Sequence, residues 1–68
     1  MNSTELRIEM LRHNDTGKTL ADALGITRTT LSAKTHGKNA EFTQKEIMSI
    51  TKRYELTPER VNEIFFAK

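Results

Sequence analysis

The 68-residue sequence contains no cysteine and no tryptophan, and it contains only one proline. The absence of cysteine excludes a disulfide scaffold and a thiolate-bound zinc site, and it is typical of a reducing compartment. No apolar run approaches the ~18 residues of a membrane span, and the first ten residues lack the apolar core of a signal peptide. We therefore expect a single cytoplasmic domain over residues 1–68, with no membrane segment.

A strong excess of one charge is also missing. The chain carries 11 basic and 9 acidic residues, so its net charge of +2 does not by itself indicate a nucleic-acid partner. The distribution is uneven, because residues 1–16 sum to −1 and residues 39–68 to 0, whereas residues 17–38 sum to +3. Positive charge concentrated in this way favours one face that meets an anionic surface. The basic residues of the central segment are Lys18, Arg28, Lys34 and Lys38.

The spacing of apolar residues predicts an all-α architecture of five short helices, at about residues 4–13, 17–24, 28–36, 43–54 and 58–66. Gly25 and Gly37 follow the second and third helices, where a residue with positive φ ends a helix. Thr43 and Glu46 have the spacing of a capping box, and Pro58 suits a first helical position. The predicted N-caps of the five helices are Ser3, Thr16, Thr27, Thr43 and Thr57.

Apolar side chains on one face of each helix form the predicted core. The adjacent residues Phe65 and Phe66 cannot both be buried on one helical face, so we expect one ring inside and the other exposed. Exposed aromatic rings often mark association surfaces, which makes Val61, Phe65 and Phe66 the candidate interface with a second chain. The main predicted core positions are Leu6, Met10, Leu20, Ala21, Leu24, Leu31, Ile47, Ile50, Tyr54 and Ile64.

The segment LADALGITRTTLS, from Leu20 to Ser32, says most about function. It predicts two helices joined by a turn too short for antiparallel packing, so the helices must cross at a steep angle. Ala21 is the small residue that lets the two backbones approach, Gly25 allows the turn, and Leu31 anchors the second helix on the first. The spacing of these three residues, within one contiguous block, meets all the demands of such a crossing.

This block resembles the helix-turn-helix motif of the Cro/repressor (XRE-type) family of DNA-binding proteins. The likeness covers nearly the whole chain and is greatest with small phage-encoded regulators. It implies a compact five-helix fold of the lambda-repressor type, with the motif at about residues 17–36. It also implies a sequence-specific transcription regulator from a phage or prophage, acting as a homodimer on a double-stranded DNA operator in the bacterial cytoplasm.

In this family the second helix of the motif, here residues 28–36, lies in the major groove. By position, Arg28 can hold a guanine with two hydrogen bonds, and Ala33 can contact a thymine methyl group. Thr29 and Ser32 suit either a base or a phosphate. The complete set of DNA contacts that the resemblance implies is Thr16, Lys18, Thr27, Arg28, Thr29, Ser32, Ala33, Lys34, His36, Lys38 and Asn39.

Two positions depart from the family pattern. Gly17 stands where the family commonly has a glutamine that braces a phosphate contact, and Lys34 stands where an apolar residue often completes the core. We expect Lys34 to lay its stem on Leu31 while its ammonium group reaches a phosphate. Because only Arg28 is then a strong base-reading donor, a second hypothesis stays open: a phage antirepressor that binds a partner repressor protein through the same fold.

Catalytic interpretations have little support in the sequence. Thr16-Gly17-Lys18-Thr19 looks like the end of a nucleotide-binding P-loop, but Arg12 stands where that motif requires a glycine. No catalytic triad or pair of carboxylates is supported, and the chain is too short to enclose an ordinary substrate pocket. We therefore expect no enzyme activity, no cofactor, no metal ion and no small-molecule substrate.

Overall fold

The computed structural model describes residues 1–37 and 40–66. Within these ranges the chain forms helices and no strand, which confirms the predicted all-α class. No helix in these ranges is long and apolar enough to cross a membrane. The helices are α1 (Ser3–Arg12), α2 (Gly17–Leu24), α3 (Arg28–His36), α4 (Gln44–Tyr54) and α5 (Pro58–Val61), and α5 continues as a π-helical segment, Asn62–Phe66.

Threonine side chains open four of the described helices, as the sequence predicts. Each hydroxyl accepts a hydrogen bond from the backbone N–H three residues further on, at 3.1–3.2 Å. Gly25 and Gly37 end α2 and α3 with φ angles of 72° and 68°, where a side chain would strain the backbone. These local signals fix the bounds of α2 and α3 at the predicted residues. The four caps are Thr16, Thr27, Thr43 and Thr57.

The beginning of α1 differs from the prediction. Ser3 is the first residue of the helix rather than its cap, and Asn2 takes the cap position, where its Oδ1 accepts a hydrogen bond from the N–H of Glu5 at 3.2 Å. The N–H of Asn2 donates to the carbonyl oxygen of Ile64 at 2.7 Å. Because this contact with the π-helical segment holds Asn2 in an extended conformation, α1 begins one residue earlier than predicted.

The apolar core lies where the helices meet. The division predicted for the adjacent rings is confirmed, because Phe65 is 8% exposed and Phe66 is 63% exposed. Phe42, ahead of α4, packs edge-on against Phe65 with ring centroids 5.8 Å apart. Met10, Leu24 and Ile47 are only partly buried at its edge. The buried apolar side chains are Leu6, Leu20, Ala21, Leu31, Ile50, Tyr54, Ile64 and Phe65.

A buried carboxylate joins the start of α2 to the end of α4. Asp15 accepts two hydrogen bonds from the guanidinium of Arg53, at 2.7 and 2.8 Å, and one each from the hydroxyls of Tyr54 and Thr19, both at 2.5 Å. The bonds from Arg53, aided by Thr19 and Tyr54 and opposed by burial, hold the pKa of Asp15 well below its usual range. Burial and the bond to Asp15 raise the pKa of Tyr54.

A second ion cluster joins α5 to α1. The guanidinium of Arg60 donates to Glu5 Oε1 at 2.5 Å and to Glu9 Oε2 at 2.6 Å. Glu9 is only 4% exposed and also accepts from Arg12 at 3.2 Å. The bonds to Glu5 and then to Glu9 raise the pKa of Arg60, so this cation stays charged. The short C-terminal helix is therefore held by charge as well as by its apolar side chains.

Candidate nucleic-acid interface

The three-residue connection between α2 and α3 sets the exposure of α3. The left-handed conformation of Gly25 turns the chain, and the N–H of Ile26 returns to the carbonyl oxygen of Ala21 at 3.0 Å. Ala21 is 1% exposed, so α3 can approach the backbone of α2 closely. Leu31 is then buried on the inner side of α3, and the opposite side of α3 faces solvent.

The outer side of α3 brings five of the predicted contact residues together. They follow one another at i, i+1, i+4, i+5 and i+8, a spacing that places side chains on one face of a helix. Ala33 is half-buried and the other four are exposed. Together they line one shallow surface depression, here called the α3 face: Arg28, Thr29, Ser32, Ala33 and His36.

Arg28 also reaches the first turn of α2. Its Nε lies 3.7 Å from the point where a Cβ on Gly17 would stand, which is an ordinary van der Waals separation. The guanidinium therefore lies beside Gly17, at a distance that would also leave room for a Cβ. Because Arg28 stands at the edge of the α3 face, it can serve either a base in front of α3 or a phosphate beside α2.

Two of the three predicted threonine contacts are engaged in capping. The hydroxyl of Thr16 accepts from the N–H of Thr19 at 3.1 Å. The hydroxyl of Thr27 accepts from the N–H of Thr30 at 3.1 Å and donates to its Oγ1 at 2.9 Å. Lys18 is exposed on the first turn of α2. The side chains of both threonines thus have partners within their own helices, whereas Lys18 extends into solvent.

The Lys34 ammonium group, expected to reach a phosphate, is paired within the fold. Its Nζ donates to both carboxylate oxygens of Glu46, at 2.6 and 2.7 Å, and the two side chains are only 14% and 12% exposed. Burial acts to raise the pKa of Glu46, but the bonds from Lys34 and Thr43 outweigh it, so that pKa is lowered. A buried ammonium group is more stable beside a carboxylate than unpaired, which is why Lys34 turns toward α4.

The basic residues of the central segment therefore differ in availability. Arg28 and Lys18 form no ion pair within residues 1–37 and 40–66, whereas Lys34 is paired with Glu46. The other two predicted contacts, Lys38 and Asn39, lie outside the described residues. The charge that α2 and α3 offer to an anionic ligand comes mainly from Arg28 and Lys18.

The candidate interface with a second chain is changed by the structure. Phe65 belongs to the core, so of the predicted set only Phe66 and the half-buried Val61 remain at the surface. Both line an apolar groove between α4 and α5, here called the α4–α5 groove, which also includes Met48. Met48 is 55% exposed and was not among the predicted interface residues; its spacing of four residues from Gln44, another residue that lines the groove, is the signal that could have found it.

Comparison of the chain with protein-family models, with curated proteins and with solved structures found no match. Within the described ranges, no group of three or more His, Asp or Glu side chains could hold a metal ion. The α3 face combines one guanidinium, two hydroxyls, one imidazole and one methyl group, with no carboxylate. Such a set of hydrogen-bond donors and small groups suits an anionic, hydrogen-bonding ligand.

Proposed function

We propose that this protein is a sequence-specific transcription regulator of the Cro/repressor (XRE-type) helix-turn-helix class, from a phage or prophage. The observation that carries the proposal is the α3 face, where five predicted contact residues meet opposite the buried Leu31. Helix α3 has nine residues and is therefore ~14 Å long, which fits a major groove ~12 Å wide. The protein represses by placing α3 in the groove of an operator.

The contacts divide between bases and phosphates. Arg28 holds a guanine through two hydrogen bonds, Ser32 serves a base or phosphate, and Ala33 meets a thymine methyl group. Lys18 lies next to the start of α2, where the N–H groups of Gly17 and Lys18 have no hydrogen-bond partner among the described residues. A phosphate at this position accepts hydrogen bonds from those N–H groups and is attracted by the positive end of the helix dipole.

The same proposal includes a homodimer formed through the α4–α5 groove. Phe66 and Met48 expose 63% and 55% of their surfaces there, and none of the described residues that line the groove is ionisable. Two copies can meet through this groove without repulsion between like charges. A two-fold dimer would present two α3 helices to half-sites one helical turn apart, ~34 Å, on a pseudo-palindromic operator.

DNA binding is tested by fluorescence anisotropy with the promoter region of the protein's own gene and a scrambled DNA of the same composition. We expect the Arg28→Ala variant to lose about tenfold or more in discrimination between the two, since a bidentate base contact is worth ~1–3 kcal/mol. Lys52→Ala removes an exposed cation on α4 and is the matched control. Absence of binding at low salt, or equal binding of both DNAs by the unaltered protein, contradicts the proposal.

A second candidate function is antirepression through binding to a partner phage repressor. The small number of cations available for DNA favours it: the α3 face has the guanidinium of Arg28 and no ammonium group, and Lys34 of the same helix is paired with Glu46. The test is co-expression with the product of a neighbouring repressor gene. A stable complex in which the repressor no longer binds its operator supports antirepression, and separate elution of the two proteins contradicts it.

A further inference from the structure

A second groove lies between α1 and α3, next to the α3 face. Arg7 and Leu11 of α1 line one wall, Thr35 and His36 of α3 line the other, and Arg28 stands where the groove reaches α2. This α1–α3 groove is separate from the α4–α5 groove, because no described residue lines both. Apolar and cationic side chains therefore lie next to each other in this groove.

The apolar part of the groove is unusually exposed. Leu11 exposes 70% of its surface, more than any other large apolar side chain of the described residues. Met10 is only partly buried, and the buried side chains of Leu6 and Leu31 form the base of the groove. Exposed apolar surface bordered by polar residues is typical of a site that another protein covers.

The charged part of the groove is positive. Arg7 and Arg28 form no ion pair within residues 1–37 and 40–66. Asp15 also lines the groove, but its carboxylate is bound to Arg53 and Tyr54, so its negative charge is compensated. The groove therefore attracts carboxylates to the rim of an apolar wall.

We propose that the α1–α3 groove is a docking site for an acidic amphipathic helix of a partner protein. The apolar stripe of such a helix covers Leu11 and Met10, and its flanking carboxylates pair with Arg7 and Arg28. A DNA backbone would satisfy the two arginines but would leave Leu11 in water. The combination of charge and apolar surface is therefore better matched by a protein segment than by nucleic acid.

Docking in this groove would exclude DNA. Arg28, Ser32 and His36 line both the α1–α3 groove and the α3 face, so one ligand occupies side chains that the other requires. This consequence rests on the proposed DNA-binding function, whereas docking itself does not. A partner with an acidic helix would then relieve repression by competition, without any change in the fold.

The probe is a synthetic helical peptide of about 14 residues, roughly four turns, with leucine at i, i+3, i+4 and i+7 and glutamate elsewhere. Its matched control has lysine in place of every glutamate. We expect titration of the ¹⁵N-labelled protein with the glutamate peptide to shift amide signals of α1 and α3. Arg7→Glu and Leu11→Glu should each weaken binding about tenfold or more. Both residues are exposed, and circular dichroism checks that the variants are folded.

Lys52→Glu and Lys45→Glu, at exposed residues outside both grooves, are the controls on α4, and we expect both to bind the peptide as the unaltered protein does. No binding of the glutamate peptide, equal binding of the lysine peptide, or shifts centred on the α4–α5 groove would overturn the docking proposal.

The peptide is then added to the complex of the protein with labelled DNA, where we expect it to displace the DNA. Simultaneous binding of peptide and DNA would overturn the exclusion of DNA but not the docking proposal. Peptide binding by a protein that binds no DNA overturns the proposed function and leaves docking supported.

Discussion

The contacts that hold helices α2 and α3 together differ from those that hold the surrounding helices. Between α2 and α3 the described residues form no ion pair, and their crossing depends on Gly25, on the buried Ala21 and on threonine caps. Ion pairs instead join α5 to α1 through Arg60, and join α4 to Asp15, ahead of α2, and to Lys34 of α3.

The presence or absence of an ion pair explains which basic residues can bind a ligand. Arg53, Arg60 and Lys34 are paired with carboxylates and therefore serve the fold. Arg28 and Lys18 form no ion pair among the described residues, and both are exposed to solvent. Some exposed cations on α1 and α4 are unpaired as well, so what distinguishes Arg28 and Lys18 is their place at the α3 face and on the first turn of α2.

Replacement of Asp15 should have the largest effect on stability. In the Asp15→Ala variant, Arg53, Tyr54 and Thr19 lose a common acceptor, and the partly exposed guanidinium recovers only some hydration. We expect a loss of about 2–3 kcal/mol in the free energy of unfolding, measured by urea denaturation. Asp22→Ala, at an exposed acid on α2, is the control and should change stability by less than about 0.5 kcal/mol. Equal effects of the two substitutions would contradict the role of Asp15.

Acid should weaken the same contacts. The folded chain lowers the pKa values of Asp15 and Glu46, so at low pH the unfolded chain binds protons first. Their contribution is complete above about pH 5 and is lost as the pH falls below about 4. We expect Asp15 alone to account for about 1 kcal/mol of the stability lost between about pH 7 and pH 3. Urea midpoints of Asp15→Ala should therefore fall less over this range, and an unchanged pH dependence would contradict the assignment.

The α2–α3 connection should respond to backbone strain instead. Gly25 has φ of 72°, and a Cβ there would meet no atom within 4 Å, so Gly25→Ala introduces strain without a clash. We expect a loss of about 1 kcal/mol that does not change between about pH 7 and pH 4. Gly17→Ala, at the first position of α2, should have no such penalty. A pH-dependent loss at Gly25 would indicate that this connection also depends on ionised groups.

The available cations should matter least to stability. Arg28→Ala and Lys18→Ala remove exposed charges with no ion pair among the described residues, so each should change the unfolding free energy by less than about 0.5 kcal/mol. Arg53→Ala is the paired counterpart and should destabilise the protein measurably. A larger loss of unfolding free energy for Arg28→Ala than for Arg53→Ala would contradict the distinction between unpaired and paired cations.

Local signals made much of the fold predictable. The threonine caps, Gly25 and Gly37 fix the helix ends through groups only a few residues apart, and the bounds of α2 and α3 follow from them. The apolar spacing also identified most of the buried positions, although Met10, Leu24 and Ile47 are only partly buried, and it indicated that Phe65 and Phe66 differ in exposure. The five residues of the α3 face were among the contacts that the family resemblance implies, and their helical spacing accounts for their meeting on one side of α3.

Contacts between distant parts of the sequence were not predictable in this way. Asp15 and Arg53 are 38 positions apart, and Arg60 lies 51 positions from Glu9, so no local pattern indicates either pair. The same limit affects Lys34, whose partner Glu46 is 12 positions away on another helix. Helical spacing gives the direction of a side chain but not the charge that it meets, which is why the ion pair of Lys34 was not foreseen.

The salt dependence of operator binding tests most directly whether unpaired rather than paired cations form the interface. The slope of log K against log salt is measured for the unaltered protein, Lys18→Ala and Lys34→Met, after circular dichroism has checked that each is folded. We predict that Lys18→Ala makes the slope shallower by about 0.9, the contribution of one phosphate contact, and that Lys34→Met leaves it unchanged. A slope reduced by Lys34→Met but not by Lys18→Ala would contradict this division.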